Sequence, residues 1–175
     1  AREMALAAKV PVVPGSDGAV RDEATATKVA QEIGYPVMIK ASAGGGGRGM
    51  RIASNEPSLI HGMRAAQAEA KAAFGDDTVY LEKFVEKGRH VEVQILGDRQ
   101  GNVIHLGERD CSVQRQHQKI LEIAPAPNLH PAVQARLHEA AATLAKAAKY
   151  KSVGTFEFLV DGDDRGADTT IAFLE

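Results

Sequence analysis

The chain has 175 residues, 44% of them hydrophobic, which is enough to bury the core of one sizeable domain or of two small ones. Its formal net charge is −2 and its pI is about 6.3, which excludes general binding to nucleic acids or to a membrane surface, because both need an excess of basic residues. The single cysteine, Cys111, excludes an internal disulfide and favours a reducing compartment; it is expected to be a small buried hydrophobic residue. No apolar run approaches the roughly 20 residues of a membrane span, and no signal peptide is visible.

The sequence begins and ends within predicted secondary-structure elements. The chain begins AREMALAAKV, without an initiator methionine and already inside a helix-like pattern. It stops at TTIAFLE, within an apolar strand pattern with no turn or cap after it. We therefore expect the chain to be a piece of a longer protein.

The first half predicts helices and strands punctuated by turn signals. Asp22 is a candidate N-cap, Gly34 and Pro36 are stop signals after the helix that Asp22 opens, and Gly75 ends the next long helix. The predicted elements are a short helix near 2–8, a helix over 22–33, strands over 35–41 and 50–53, a helix over 56–74, and strands over 79–85 and 89–97.

The second half predicts two hairpins around a helix. The turn at 97–102 joins the preceding strand to one over 103–110, an alanine-rich helix covers 131–149, and strands over 153–161 and 170–175 form the last hairpin. Hairpins with helices, without regular strand–helix–strand alternation, predict an α+β fold. A boundary is expected near 85–88, after the first half has closed a small sheet of its own.

The run GGGG in KASAGGGGRGM lies between two predicted strands. Gly44, Gly46 and Gly49 satisfy G-x-G-x-x-G, but a glycine run does so trivially. The run is not a Walker A loop, because Met50 follows the last glycine, and it is not a dinucleotide loop, because a strand follows instead of a helix. A glycine flap whose amides close over phosphates, with Lys40 upstream as a point charge, is favoured; a floppy hairpin tip is the alternative.

Polar residues suggest an anion site further along the chain. One face of RHVEVQIL carries His90, Glu92 and Gln94, which for a single strand is expected to be solvated. The run QRQHQK, if extended, puts Arg115, His117 and Lys119 on one face and the glutamines at 114, 116 and 118 on the other. Because the run contains potential cations and no carboxylate, an anion site is favoured over a solvated surface.

Two glutamates in the final hairpin predict a metal site. An antiparallel pairing that sets Glu157 opposite Glu175 also sets residue 160 opposite residue 172. Facing carboxylates repel each other, and a divalent cation such as Mg²⁺ removes the repulsion. The alternative is that each glutamate merely edges the sheet.

Four segments together resemble the ATP-grasp region of biotin carboxylase, as found in biotin-dependent acyl-CoA, pyruvate and related carboxylases. They are GYPVMIKASAGGGGRGMR, LEKFVEKGRHVEVQILGD, GERDCSVQRQHQKILEIAPAP and GTFEFLVD. The third is long and unusual enough to be highly specific, and the resemblance runs through nearly the whole chain. It implies an ATP-grasp fold with the end of a preceding linker over 1–14, a small lid subdomain over 15–85 and a large subdomain over 86–175, truncated at its C-terminus.

The resemblance also implies roles for single residues. Lys119 would bind bicarbonate and steady carboxyphosphate, and His117 would lie near the γ-phosphate; these two are the catalytic candidates. Glu157 and Glu175 would hold Mg²⁺ or Mn²⁺. The remaining nucleotide-binding candidates are Lys40, Gly45, Gly46, Gly47, Gly49, Glu82, Lys83, Phe84, Val85, His90 and Gln114.

The reaction implied is ATP-dependent carboxylation of biotin by bicarbonate, with a biotin carrier domain and a carboxyltransferase as partners and a homo-oligomeric parent enzyme. A cytoplasmic location is expected, or the mitochondrial matrix for a eukaryotic source. The family's N-terminal domain and the site residues beyond Glu175 are missing, so the chain is expected to be inactive alone. Another ATP-grasp carboxylate ligase, similar to carbamoyl-phosphate synthetase, and a non-catalytic nucleotide-binding module remain alternatives.

Overall fold

The computed structural model describes residues 1–42, 50–116, 118–163 and 166–175, and it divides into two compact units. Unit 1 comprises Ala1–Val12, Glu86–Arg115 and Lys119–Glu175; unit 2 comprises Val13–Val85 and Gln116–Gln118. The helices of the described residues are α1 (Arg2–Ala7), α2 (Glu23–Ile33), α3 (Glu56–Phe74) and α4 (Pro131–Ala147). Their strands are β1 (Val37–Ala41), β2 (Arg51–Ala53), β3 (Val79–Lys83), β4 (Gly88–Gly97), β5 (Val103–Arg115), β6 (Gln118–Ile123), β7 (Ser152–Asp161) and β8 (Ile171–Phe173).

Unit 2 is built on a three-stranded antiparallel sheet in the order β2-β1-β3. Val37 and Ile39 of the central strand are fully buried, and Leu59 and Met63 of α3 lie in the same hydrophobic cluster. Helix α2 contributes small alanines to this cluster, which lets its backbone approach closely. The prediction that the first half closes its own small sheet is confirmed.

The ends of the two helices in unit 2 follow their capping residues. The Asp22 carboxylate accepts a hydrogen bond from the Thr25 N–H at 2.8 Å, and Gly34 ends α2 with a φ of +78°. Helix α3 begins at the N-cap Asn55 and ends at Gly75, whose φ of +75° lies in the left-handed region that glycine adopts without strain. The predicted bounds of α3 are confirmed, and α2 begins one residue later than predicted, because Asp22 is its N-cap.

Unit 1 is built on a five-stranded sheet in the order β6-β5-β4-β7-β8. Alternate residues of β4 and β7, including Val91, Val93 and Phe158, lie in one core with Leu137 and Leu144 of α4. Because strand side chains alternate between faces, the other residues of β4 and β7 face away from this core.

Strand β5 is longer than predicted, and the run QRQHQK is not one extended segment. The strand continues to Arg115, Gln116 has a φ of +51°, and β6 begins at Gln118. The run therefore spans a reversal between two neighbouring strands of the sheet. The predicted alternation of its side chains between two faces is wrong, because a turn interrupts the period of two.

The register of the last hairpin differs by one residue from the predicted one. Phe158 pairs with Phe173 and Val160 pairs with Ile171, so the predicted pairing of residue 160 with residue 172 is wrong. Directly opposite residues share a face, and this register puts both phenylalanine rings in the core, with their centroids 5.6 Å apart. A slip of one residue would send one of the two rings to the other face.

Helices beside two antiparallel sheets confirm the predicted α+β class. Of the helices that the described residues form, none combines the length and the apolar character needed to cross a membrane.

Candidate active site

A row of charged residues crosses three adjacent strands of unit 1. Val91 and Val93 of β4 are buried in the core, so Glu92 projects from the opposite face of the sheet. The register pairs Glu92 with Arg109 of β5 on one side and with Glu157 of β7 on the other. Glu92 and Glu157 are thus cross-strand neighbours, and their like charges destabilise the sheet unless cations separate them.

Two basic side chains offset the repulsion between these carboxylates. Lys119 of β6 contacts Glu92, and its Nζ lies 2.8 Å from Oε1 of Glu157. Arg109 reaches Oε2 of Glu92 with Nη2 at 2.7 Å and donates from Nη1 to Oε1 of Gln94 at 3.0 Å. The Glu92 side chain is only 1% exposed. The prediction of a solvated face is therefore wrong at Glu92, because the carboxylate lies inside an ion cluster.

A histidine completes the cluster. Nε2 of His90 lies 3.0 Å from Oε2 of Glu157 and 3.2 Å from Oε1 of Glu92. This nitrogen is buried, and within the described part of the chain it forms no hydrogen bond with either carboxylate. The other ring nitrogen, Nδ1, lies 3.1 Å from Nε2 of Gln114. His90, Gln114, Lys119 and Glu157, all predicted site residues, thus converge in one place.

The electrostatics of this cluster favour an ionised Glu157. The pKa of this carboxyl falls from its ordinary value of 4.5 to about 2. The neighbouring His90 imidazole is the largest cause, burial opposes it by raising the pKa, and the Lys119 ammonium lowers the pKa again. Glu157 therefore carries a full negative charge at neutral pH and is available to a cation.

The donor set fits a divalent cation. His90, Glu92 and Glu157 each offer an atom, and these atoms lie within 4.8 Å of one another. Carboxylate oxygens are the ligands that Mg²⁺ prefers. Glu175, the other predicted ligand, accepts a hydrogen bond at its backbone carbonyl from the Glu157 N–H at 2.8 Å, and the residue is exposed. A cation on Glu157 would replace contacts that this carboxylate now makes with Lys119 or His90.

Unit 2 holds the predicted residues that precede the boundary. Lys40 of β1 forms an ion pair with Glu82 of β3. Lys83 donates from Nζ to the carbonyl oxygens of Gly34 and Tyr35 at 3.0 and 2.8 Å. These bonds tie Lys83 to the end of α2.

The two residues after β3 differ in their backbone bonding. The Phe84 N–H donates to the Pro36 carbonyl at 3.0 Å. Within the four described segments, the Val85 N–H donates to no backbone carbonyl. The predicted residues Gly45, Gly46, Gly47, Gly49 and His117 lie outside the described residues.

Two members of the cluster were not among the predicted site residues. The sequence places Glu92 only on a strand face and indicates no role for Arg109. The only sequence signal for Glu92 is the alternation with Val91 and Val93, which puts it on the polar face of the strand. No comparable local signal exists for Arg109, whose contact with Glu92 depends on the pairing of β4 with β5.

The sequence and fold agree with those of known proteins. The family described as "Carbamoyl-phosphate synthase L chain, ATP binding domain" matches residues 1–174, so the chain belongs to this family. The chain is 53% identical over 167 residues to biotin carboxylase 2, chloroplastic, of Populus trichocarpa; the match covers 95% of the chain. The chain spans only 31% of the length of that relative.

Solved structures show the same similarity. A Campylobacter jejuni biotin carboxylase in complex with β,γ-ATP matches 99% of the chain with a TM-score of 0.92 and 52% identity, and the match covers 38% of that protein. The biotin carboxylase domain dimer of Hydrogenobacter thermophilus 2-oxoglutarate carboxylase, in complex with MgADP, ADP and bicarbonate, matches 99% of the chain with a TM-score of 0.91 and 48% identity, over 37% of that chain. The predicted ATP-grasp fold of the biotin carboxylase type is confirmed.

Proposed function

We propose that the protein carrying this chain phosphorylates bicarbonate with ATP and transfers the carboxyl group to N1′ of biotin on a carrier domain. The observation that carries this proposal is the position of Lys119, whose ammonium group lies against Glu92 and Glu157. The cluster occurs in a domain 52% identical to a solved biotin carboxylase. A cation held between two carboxylates in a largely buried site is a fixed positive charge for an anionic substrate.

The proposed reaction has two steps, the phosphorylation of bicarbonate and the carboxylation of biotin. An oxygen of bicarbonate attacks the γ-phosphorus of ATP, the bond to the β,γ-bridging oxygen breaks, and ADP leaves with that electron pair to give carboxyphosphate. N1′ of biotin then bonds to the carboxyl carbon as phosphate departs with the electron pair of the C–O bond, and the proton of N1′ passes to that phosphate. Phosphoryl transfer of this kind depends on positioning and on neutralising charge.

The residues divide this work by charge. Mg²⁺ or Mn²⁺, when bound, would neutralise the phosphate oxygens, and Glu157 with Glu175 would hold it. Lys119 binds bicarbonate and stabilises the negative charge of carboxyphosphate, and His117 lies near the γ-phosphate.

The nucleotide-binding roles are assigned residue by residue. Lys40 and the glycines at 45, 46, 47 and 49 approach the phosphates, and His90 and Gln114 approach the ribose and phosphates. The strand end Glu82-Lys83-Phe84-Val85 binds the adenine edge. The Val85 N–H supports this assignment, because within the described segments it has no backbone acceptor and can donate to a ring nitrogen.

The two subdomains and the partners complete the proposal. Residues 15–85 form the lid, and residues 86–175 form the large subdomain. This division is supported by one compact unit that consists mostly of Val13–Val85. A biotin carrier domain, a carboxyltransferase and a homo-oligomer are the expected partners. The Hydrogenobacter thermophilus domain named above is described as a dimer, which supports the last of these. A cytoplasmic or mitochondrial location remains a prediction.

The test is biotin-dependent ATP cleavage by the full-length protein, with wild type compared with Lys119→Ala. Loss of a fixed charge that acts on the reacting anion should lower kcat by about 10²- to 10³-fold, with a small change in KM for ATP. Lys151→Ala removes an exposed lysine of unit 1 and should retain the wild-type rate. A Lys119→Ala protein with unchanged kcat and a raised KM for ATP would show that Lys119 serves nucleotide binding instead.

A further inference from the structure

The orientation of the Gln114 amide is fixed by a backbone carbonyl. Nε2 of Gln114 donates to the Cys111 carbonyl oxygen at 2.8 Å. A carbonyl only accepts, so the amide must present its NH₂ group at this position. Rotating the amide would bring two oxygens together at this distance, with no hydrogen between them. The NH₂ group therefore also faces His90, whose Nδ1 lies 3.1 Å away.

This contact determines which nitrogen of His90 carries the proton. Nδ1 faces an N–H donor and must keep its lone pair in order to accept a hydrogen bond. The neutral imidazole then carries its proton on Nε2. Nε2 lies 3.0 Å from a carboxylate oxygen of Glu157 and 3.2 Å from one of Glu92, where an N–H is attracted and a lone pair would be repelled. Both sides of the ring thus favour the same tautomer.

The tautomer decides whether His90 can be a metal ligand. His90, Glu92 and Glu157 are close enough to share one cation, and an imidazole with two carboxylates is a donor set that suits Zn²⁺ or Co²⁺. Coordination requires the lone pair of Nε2, which the proton occupies. With His90 excluded, the set offers carboxylate oxygens alone, and these favour hard cations such as Mg²⁺ and Mn²⁺.

We propose that Gln114 is a specificity-determining residue of the cation site. By donating to Nδ1 of His90, it keeps Nε2 protonated and prevents this histidine from ligating a transition metal. The consequence for the cation rests on the proposed metal site at Glu157; the tautomer itself does not. Gln114 acts through His90, so this is a positioning role, additional to any contact with nucleotide.

The first experiment measures the tautomer directly in the full-length protein labelled with ring-¹⁵N histidine. Protonated and unprotonated ring nitrogens differ in ¹⁵N chemical shift, and the spectrum of His90→Gln identifies the His90 signals by their absence. Wild type should show the proton on Nε2. In Gln114→Glu the Cys111 carbonyl repels the carboxylate, which should turn an oxygen towards His90 and accept from Nδ1–H, so the proton should move to Nδ1. A wild-type proton on Nδ1 overturns the proposal.

The second experiment measures Co²⁺ and Zn²⁺ binding without nucleotide, by cobalt absorption and by zinc competition. A carboxylate behind a histidine ligand contributes roughly 10- to 100-fold to metal affinity, so Gln114→Glu should tighten both metals by at least about 10-fold. The double variant Gln114→Glu, His90→Gln should lose this gain. Equal affinities in wild type and Gln114→Glu contradict the proposal.

The matched control is Gln94→Glu, which adds the same charge beside the cluster. Gln94 contacts Arg109 and the Gly154 carbonyl. Its replacement by glutamate therefore adds a negative charge near the cluster without a contact to Nδ1 of His90. It should leave the His90 tautomer unchanged and gain far less Co²⁺ affinity. Neither readout needs catalysis, so an Nε2 proton in a full-length protein that shows no biotin-dependent ATP cleavage would refute the proposed function and leave this inference standing.

Discussion

At the scale of single residues, a comparison of Glu92 with Glu122 shows how burial should change the contribution of an ion pair to the free energy of unfolding. Both carboxylates contact Arg109, at 2.7 Å from Nη2 and 3.1 Å from Nε respectively, but Glu92 is 1% exposed and Glu122 is 51% exposed. Removing the charge of Glu92 deprives Arg109 and Lys119 of a buried charged acceptor, although Glu122 and Glu157 remain beside them, and the loss of such a hydrogen-bonded charge typically costs about 1.5–3 kcal/mol. An exposed pair is typically worth about 0–1 kcal/mol.

We therefore predict that Glu92→Gln lowers the free energy of unfolding by about 1.5–3 kcal/mol and that Glu122→Gln lowers it by less than about 1 kcal/mol. Urea denaturation of the two variants beside wild type measures both values. Equal losses would show that the Glu92 cluster is screened by solvent as an exposed pair is.

Local chemistry explains which residues could be predicted from the sequence. Asp22, Gly34 and Gly75 mark helix ends because capping depends on a few neighbouring backbone groups. The position of Lys119 beside Glu157 could not be predicted from spacing, because it requires the reversal at Gln116 and the order of four strands. The resemblance implies a role for each of these residues but does not explain how the fold brings them together.

At the scale of elements, helix α4 is joined to β5 by a polar contact as well as by the core. Glu108 of β5 accepts from Nε2 of Gln134 at 2.9 Å and lies 2.6 Å from Nε2 of His138, both on α4. The His138 ring stacks on His105 of β5, with centroids 4.0 Å apart. His105 is exposed at the residue level, but partial desolvation of its ring is the main cause that lowers its pKa from the ordinary value of 6.5; the charge of His138 lowers this pKa further, and Glu108 opposes the shift.

This contact predicts a dependence of stability on pH. Because the folded-state pKa of His105 is lowered, the unfolded chain binds the proton more readily, so its contribution to stability is present above about pH 6.5 and is lost as the pH falls through the folded-state value. Between pH 7.5 and 5.5 the free energy of unfolding should fall less in His105→Gln than in wild type. His61→Gln, which changes an exposed histidine of α3, should follow wild type. Parallel curves for all three proteins, measured by urea denaturation, would contradict the prediction.

The register of the last hairpin and the contact between α4 and β5 could not be predicted from sequence patterns. The alternation of β7 and β8 predicted a hairpin, but its register depends on burying Phe158 and Phe173 together, which a single strand does not reveal. The contact between His105 and His138 likewise joins residues far apart in sequence. Patterns with a period of two or 3.6 residues predict elements; they do not predict which element lies beside which.

At the scale of the whole molecule, each unit has a sheet and a hydrophobic core of its own. Leu59 of α3 is fully buried in the core of unit 2, and Leu137 of α4 is fully buried in the core of unit 1. Cys111, the only cysteine of the chain, is buried in unit 1, and burial is the main cause that raises the pKa of its thiol. A thiol reagent should therefore modify Cys111 only when unit 1 opens, which makes its labelling rate a measure of the opening of that unit.

Separate cores predict separate responses to the same substitution. Replacing a buried leucine by alanine costs about 2–5 kcal/mol, and a loss of about 2 kcal/mol raises the population of the open form roughly 30-fold. We predict that Leu137→Ala accelerates Cys111 labelling by at least about 30-fold when labelling follows the open population, whereas Leu59→Ala changes it less than about threefold. Mass spectrometry of the peptide containing Cys111 measures the rate in the full-length protein, and urea denaturation verifies that both variants are destabilised. Comparable acceleration by the two variants would mean that the units open as one cooperative body, and the two cores would then be parts of a single folding unit.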